Sequence, residues 1–142
     1  MSVFTAPDGA VRVTLTVQLH DAARRPSIPV RVRLSWKPTD PCAFTALFLS
    51  DRPDRADVTW VLSRDVLIGG ITTPCGTGDC VVFPVQTRVW IVLHTPDGHG
   101  EFDADPARLM EFLAATVHRC PIGSEYAGYD LDSEIAALLE AA

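Results

Sequence analysis

The chain has 142 residues, 47% hydrophobic and 21% charged, with 11 prolines and 9 glycines scattered along it; this is the composition of one globular domain with a core of its own, not of a disordered or collagen-like chain. Net charge is −6 but uneven: residues 1–71 carry nine Arg/Lys against seven Asp/Glu, and residues 72–142 carry three against eleven. An acidic total disfavours general binding to nucleic acid or to anionic membranes, because both need clustered cations to neutralise phosphate.

Residues 1–9 read as an N-terminal extension to a single domain covering 1–142, without the basic and apolar regions of a secretory signal. From Ala10 to Leu19, Val11, Val13, Leu15, Val17 and Leu19 alternate with Arg12, Thr14, Thr16 and Gln18, the period of a half-buried strand. Pro29–Trp36 repeats the pattern, with Val30, Val32, Leu34 and Trp36 on one side and Arg31 and Arg33 on the other; the two segments are expected to form a hairpin. Cys42–Leu49 is apolar at nearly every position and short, which fits a strand covered on both faces. Asp57–Leu62 is a fourth strand. Ser63–Gly70 then has the marks of a short capped helix: Ser63 at the N-cap, Asp65 in the first turn and glycine at the stop.

Two more strands, Cys80–Val85 and Arg88–His94, follow a Gly76-Thr77-Gly78-Asp79 turn, and Pro96-Asp97-Gly98 supplies hairpin chemistry before His99–Phe102. About seven strands without a helix long enough for a parallel crossover imply a curled, barrel-like antiparallel sheet in an α+β fold. Asp105 and Pro106 open a helix with Leu109, Phe112, Leu113 and Val117 on one stripe, ending near Pro121. A turn at Gly123 leads to a last helix, with Asp130, Asp132 and Glu134 at its start and Leu131, Ile135, Leu138 and Leu139 on one face. Trp36, Trp60 and Trp90 are all read as in phase with apolar neighbours, as core or interface residues.

The chemistry of a site is sparse. Gly76-Thr77-Gly78-Asp79 lacks the Gly-Lys-Ser/Thr of a phosphate loop and runs into a strand. Cys75 and Cys80, with His94 and His99, match no common zinc spacing, and the four cysteines read as small core thiols. No nucleophile elbow or His-Glu-x-x-His is present, and the pairs Asp103/Asp105 and Asp130/Asp132 stand where helix starts attract acids. Neither enzyme activity nor a cofactor or metal is expected. If the first two strands pair, Arg12, Arg31 and Arg33 share an outward basic face, the site of an alternative reading as a single-stranded nucleic-acid binder.

Asp40-Pro41-Cys42-Ala43-Phe44, the run Val58-Thr59-Trp60 to Arg64-Asp65-Val66-Leu67, Gly76-Thr77-Gly78-Asp79 with Val82-Phe83-Pro84, and Asp130-Leu131-Asp132-Ser133-Glu134 follow one another over residues 40–134. In order and spacing they resemble the SsgA-like proteins of sporulating actinomycetes, with Trp60, Arg64, Asp65, Gly76, Gly78, Asp79, Asp130 and Asp132 as the motif positions. The resemblance implies a Whirly-like α+β subunit forming a homotrimer, cytoplasmic and without cofactor. It also implies a part in sporulation-specific septation, positioning or recruiting the tubulin-like division GTPase FtsZ, meeting other division proteins at the septum and influencing septal cell-wall assembly. The candidate docking surface is the acidic C-terminal helix with its corner: Gly123, Asp130, Asp132 and Glu134.

Overall fold

A computed structural model describes residues 3–20, 26–96, 98–127 and 131–141. Eight strands, all paired antiparallel, make one sheet: β1 (Phe4–Thr5), β2 (Val11–His20), β3 (Ile28–Lys37), β4 (Asp40–Phe48), β5 (Val58–Ser63), β6 (Cys80–Val85), β7 (Arg88–Thr95) and β8 (Gly98–Ala104). The path across it is β5-β4-β3-β2-β8-β7-β6, with β1 beside β2. Seven strands in a curled antiparallel sheet, a short helix and two C-terminal helices are thus as expected. The addition is β1, which draws part of the N-terminal extension into the sheet, Phe4 opposite Arg12. A two-residue strand carries no periodicity, which is why the pattern does not reveal it.

Side-chain alternation decides which face is buried. Val13 pairs with Leu34, Leu15 with Val32 and Val17 with Val30, all pointing inward, while Arg12, Thr16, Arg31 and Arg33 are exposed. The strands part at β2. Its C-terminal end, Gln18–His20, pairs with β8, whereas Val11 and Arg12 pair with β1, and the interval is closed from inside by α2 (Pro106–Arg119), which buries Leu109, Phe112, Leu113 and Thr116. Phe44 meets Phe112 edge to face at 5.6 Å.

The short helix α1 (Arg64–Gly70) packs against β6 and also touches β4 and β5, spanning the two open edges of the sheet. Its fit against β6 is close: a methyl group on Gly70 would lie 2.3 Å from Val82, so no larger residue fits there without the helix moving outward. Ser63 caps α1 by accepting from the Val66 N–H, and Asp105 caps α2 by accepting from Ala107. The last helix, α3 (Leu131–Glu140), carries Asp132 and Glu134 in its first turn. Asp130 and Asp97 lie outside the described residues.

Candidate docking surface

Arg64 is the residue around which the C-terminal corner is built. It is the first residue of α1 and fully buried. Its Nη1 donates to the Cys120 carbonyl at 2.8 Å and its Nη2 to Glu125 Oε1 at 3.0 Å, while its Cζ lies 5.7 Å from the Trp36 ring centroid. The other oxygen of Glu125 accepts from the Gly123 N–H at 2.9 Å. One carboxylate therefore joins a core guanidinium to the turn beyond α2. Hydrogen bonding from its own backbone N–H, then from Arg64 and Gly123, outweighs desolvation and holds the Glu125 carboxyl below its ordinary range. Gly123 is in the left-handed region at φ 91°, and Tyr126 reaches the Cys42 thiol at 3.7 Å. The chain leaves for α3 from this fixed point.

On α3 the side chains of Asp132 and Glu134 are exposed. So are Ile135, Leu138 and Leu139, at 53%, 72% and 72%. The apolar stripe legible in the sequence is present, and these three of its residues are largely exposed among the described residues. Gly123 and Glu125 belong to the corner, Asp132 and Glu134 to the helix it leads into.

The other motif positions sit apart from this corner. Asp65 is exposed in the first turn of α1. Gly76, at φ 100°, bends the chain so tightly that a methyl group would come within 2.3 Å of the Cys80 carbonyl oxygen; Gly78, at φ 72°, faces open space. The Asp79 carbonyl accepts from the His94 N–H at 2.9 Å. These contacts make Gly76–Asp79 the turn that lets Cys75 pair with Val82. Trp60 is half-buried at one end of the sheet, where Leu19, Val30, Phe48, Val58, Leu93, Gly98 and His99 join it around an apolar groove of about 440 Å³. We call this end the mouth.

Arg12, Arg31 and Arg33 do lie together on the outer face, with Arg31 opposite Thr16 and Arg33 opposite Thr14, and all three are exposed.

Three assignments change. Trp90 is not in phase with the core: Val89, Ile91 and Leu93 point inward, and Trp90 lies half-buried on the outer face, stacked on His20 with ring centroids 4.4 Å apart. Val89–Leu93 is apolar at every position, which hides the alternation locally; Arg88 and His94, in phase with Trp90, mark the outer face. Asp103 is not a helix-start acid. It precedes the cap Asp105 by two residues on β8, is only 6% exposed, and binds His20 Nε2 through Oδ2 at 2.5 Å and Arg88 Nε through Oδ1 at 2.6 Å. Burial alone would raise its pKa, but hydrogen bonds and charge from His20 and Arg88 lower it. Finally, the four cysteines are all half-buried, and of them Cys80 and Cys120 pack against the core; burial, and then the neighbouring Cys75, raise the pKa of Cys80. No group of three or more metal-ligating side chains occurs among the described residues.

Comparison with known proteins matches this arrangement to one family. The family profile described as Streptomyces sporulation and cell division protein, SsgA, covers residues 30–125. The sporulation-specific cell division protein SsgB of Streptomyces coelicolor is 34% identical over 137 residues, spanning 91% of this chain and 98% of the relative. SsgB of Kineococcus radiotolerans is 37% identical over 120 residues, 80% of this chain and 71% of the relative. Among solved structures, an SsgA-like sporulation-specific cell division protein from Thermobifida fusca superposes with a TM-score of 0.78 at 32% identity, covering 94% of this chain and 98% of that one. A structure from work on SsgB mutations and longitudinal cell division in S. coelicolor gives 0.77 at 30% identity, over 89% and 100% of the two chains.

Proposed function

Because the chain belongs to the SsgA-like family of sporulation and cell division proteins, we propose that it acts in sporulation-specific cell division as a non-enzymatic adaptor. In this reading it works in the cytoplasm at the septum, positions or recruits FtsZ, meets other division proteins and influences septal wall assembly. It does so as a homotrimer, whose three copies of one surface gain avidity for a polymeric partner. One observation carries the proposal: an exposed acidic helix leaves the body from a corner held by the buried Arg64 through Glu125 and Gly123. A rigid base under a solvent-facing acidic segment suits docking to a protein. No helix among the described residues is long and apolar enough to cross a membrane, in keeping with recruitment through protein contacts.

Light scattering of the purified chain, alone and mixed with FtsZ from the same organism, tests this. The expected result is a particle of about three times 15.4 kDa that binds FtsZ. Charge reversal at Asp130, Asp132 and Glu134 is expected to weaken that binding at least tenfold, and unchanged binding and septal localisation would reject the acidic surface. Reproducible turnover of a nucleotide or glycan by tag-free protein would reject the non-enzymatic reading.

A single-stranded nucleic-acid binder is the second reading, favoured by the exposed Arg12, Arg31 and Arg33 on the outer face of β2 and β3. Labelled poly-dT distinguishes the two: this reading requires a complex that weakens steeply with salt and is lost with Arg31→Ala plus Arg33→Ala.

A further inference from the structure

Cys75 and Cys80 flank the Gly76–Asp79 turn and take no part in the docking surface. Cys75 exchanges both backbone hydrogen bonds with Val82: its N–H donates at 2.8 Å, and its carbonyl accepts at 2.9 Å. In an antiparallel pair, the residue two positions before Val82 stands diagonally opposite Cys75 on the same face. That residue is Cys80. The face is the one turned to α1, since a methyl group on Gly69 would lie 2.9 Å from the Cys75 Sγ and one on Gly70 2.3 Å from Val82. We propose that Cys75 and Cys80 are a redox pair that closes reversibly to a disulfide, the oxidant being a low-molecular-weight disulfide, and that the closed form holds α1 more firmly to β6.

The turn is built to let the two sulfurs meet. Diagonal partners have Cα atoms about 7–8 Å apart, and a disulfide needs them within about 7 Å, so only a small shift is required. The backbone already comes close: a methyl group on Gly76 would touch the Cys80 carbonyl oxygen at 2.3 Å. Gly76 and Gly78, at φ 100° and 72°, have the backbone freedom to supply the rest. The two ends are held unequally. Cys80 is fixed on β6 opposite Leu93, with the preceding Asp79 carbonyl accepting from His94, whereas Cys75 is joined to the sheet by one bridge outside the named strands. Cys75 is therefore the partner that moves.

Both thiols are half-buried, within reach of a small oxidant. They also sense each other: Cys75 is the second cause, after burial, that raises the pKa of Cys80. A thiol kept protonated is a poor nucleophile, which leaves the first attack to Cys75. Its sulfur displaces one thiol from the small disulfide, forming a mixed disulfide. The Cys80 sulfur, losing its proton, then attacks the Cys75 sulfur and displaces the second thiol. Two protein thiols are oxidised and one small disulfide is reduced to two thiols. The other cysteines have different neighbours, Cys42 the Tyr126 hydroxyl at 3.7 Å and Cys120 that of Ser124 at 3.8 Å.

The consequence falls on α1. The chain leaves the helix at Gly70 and returns to the sheet at Cys75, so a bond to Cys80 would fasten that return to β6.

Equilibrating the full chain with mixtures of reduced and oxidised glutathione, then alkylating and digesting with trypsin, tests this. The tryptic peptide Asp65–Arg88 holds Cys75 and Cys80 and neither of the other cysteines. The expected product is this peptide lighter by two hydrogens and unalkylated, restored by dithiothreitol. It should reach half its amount at least tenfold earlier in oxidised glutathione than the adducts of Cys42 and Cys120. Recovery of the peptide with two free thiols, with two glutathione adducts or joined to another peptide overturns the proposal. So does an equal midpoint in urea, which would show that closeness in sequence, and not the fold, brings the sulfurs together. In hydrogen exchange, the amides of Leu67–Gly70 should exchange at least tenfold more slowly in the oxidised chain than in the reduced one, and equal rates overturn the hold on α1.

Discussion

At Arg64 the chain places a full charge in its core and surrounds it with three partners of different kinds: a carbonyl, a carboxylate and an indole face. Removing one member of such a buried set leaves the others unpaired, at a cost of about 3–5 kcal/mol. Arg64→Met should therefore lower the melting temperature by on the order of 10 °C, read by thermal unfolding. A drop of only a degree or two would mean that the guanidinium is not what holds the corner. The two motif glycines offer a second test. Gly78→Ala meets only backbone strain, about 1–2 kcal/mol, whereas Gly76→Ala meets the same strain and a carbonyl oxygen 2.3 Å away. Denaturant midpoints should fall clearly further for Gly76→Ala, and equal losses would show that the turn relaxes freely. Asp103 gives a pH dependence. His20 and Arg88 depress its pKa in the folded state, so its contribution is full above the unfolded value near 3.8 and is lost as the pH falls through the lower folded one. Between about pH 4 and pH 2 the stability of Asp103→Asn should fall less steeply than that of wild type; parallel curves would place acid sensitivity elsewhere.

Among the elements, α1 and α2 are helices whose starts were legible because capping is local chemistry. Ser63 and Asp105 each satisfy an N–H within three residues, and Asp105→Ala should cost about 1 kcal/mol, measured by urea unfolding. A loss below a few tenths would show that Pro106 and the packing of Phe112 define the start of α2 without the cap. The strands were legible where one face is buried and the other wet, as in β2 and β3. Legibility failed on β7, where Trp90 and Val92 lie on the outer face opposite Ile91 and Leu93. It failed again at Asp103, which in sequence is one more acid before a helix and in the fold is the link between β2 and β7. For α3 the periodicity reveals an apolar stripe but not what it covers; among the described residues Ile135, Leu138 and Leu139 are exposed.

At the scale of the whole molecule, the prediction that separates the two functional readings is ionic. If the outer face of β2 and β3 binds single-stranded DNA through Arg12, Arg31 and Arg33, the slope of log affinity against log salt should be about −2 for three phosphate contacts. The adaptor reading expects no DNA complex at all at moderate salt. Much of the architecture was determined by the sequence alone: period-two alternation, turn residues and the absence of long helices leave few solutions but a curled antiparallel sheet with helices at its C-terminal end. The candidate surface was half legible. Asp132, Glu134 and Gly123 stood out as a charged helix start after a turn, because those signals lie within a few residues. Glu125 did not, since its role exists only when Arg64, 61 positions earlier, is brought beneath it, and the mouth did not, because Leu19, Val58, Trp60 and Leu93 are neighbours only after β2, β5 and β7 take their places. Alternation and capping act between residues near in sequence and need no fold to be read. Burial of a charge, the pairing of a carboxylate and the shape of a groove depend on distances between remote segments, and those are decided only when the sheet curls.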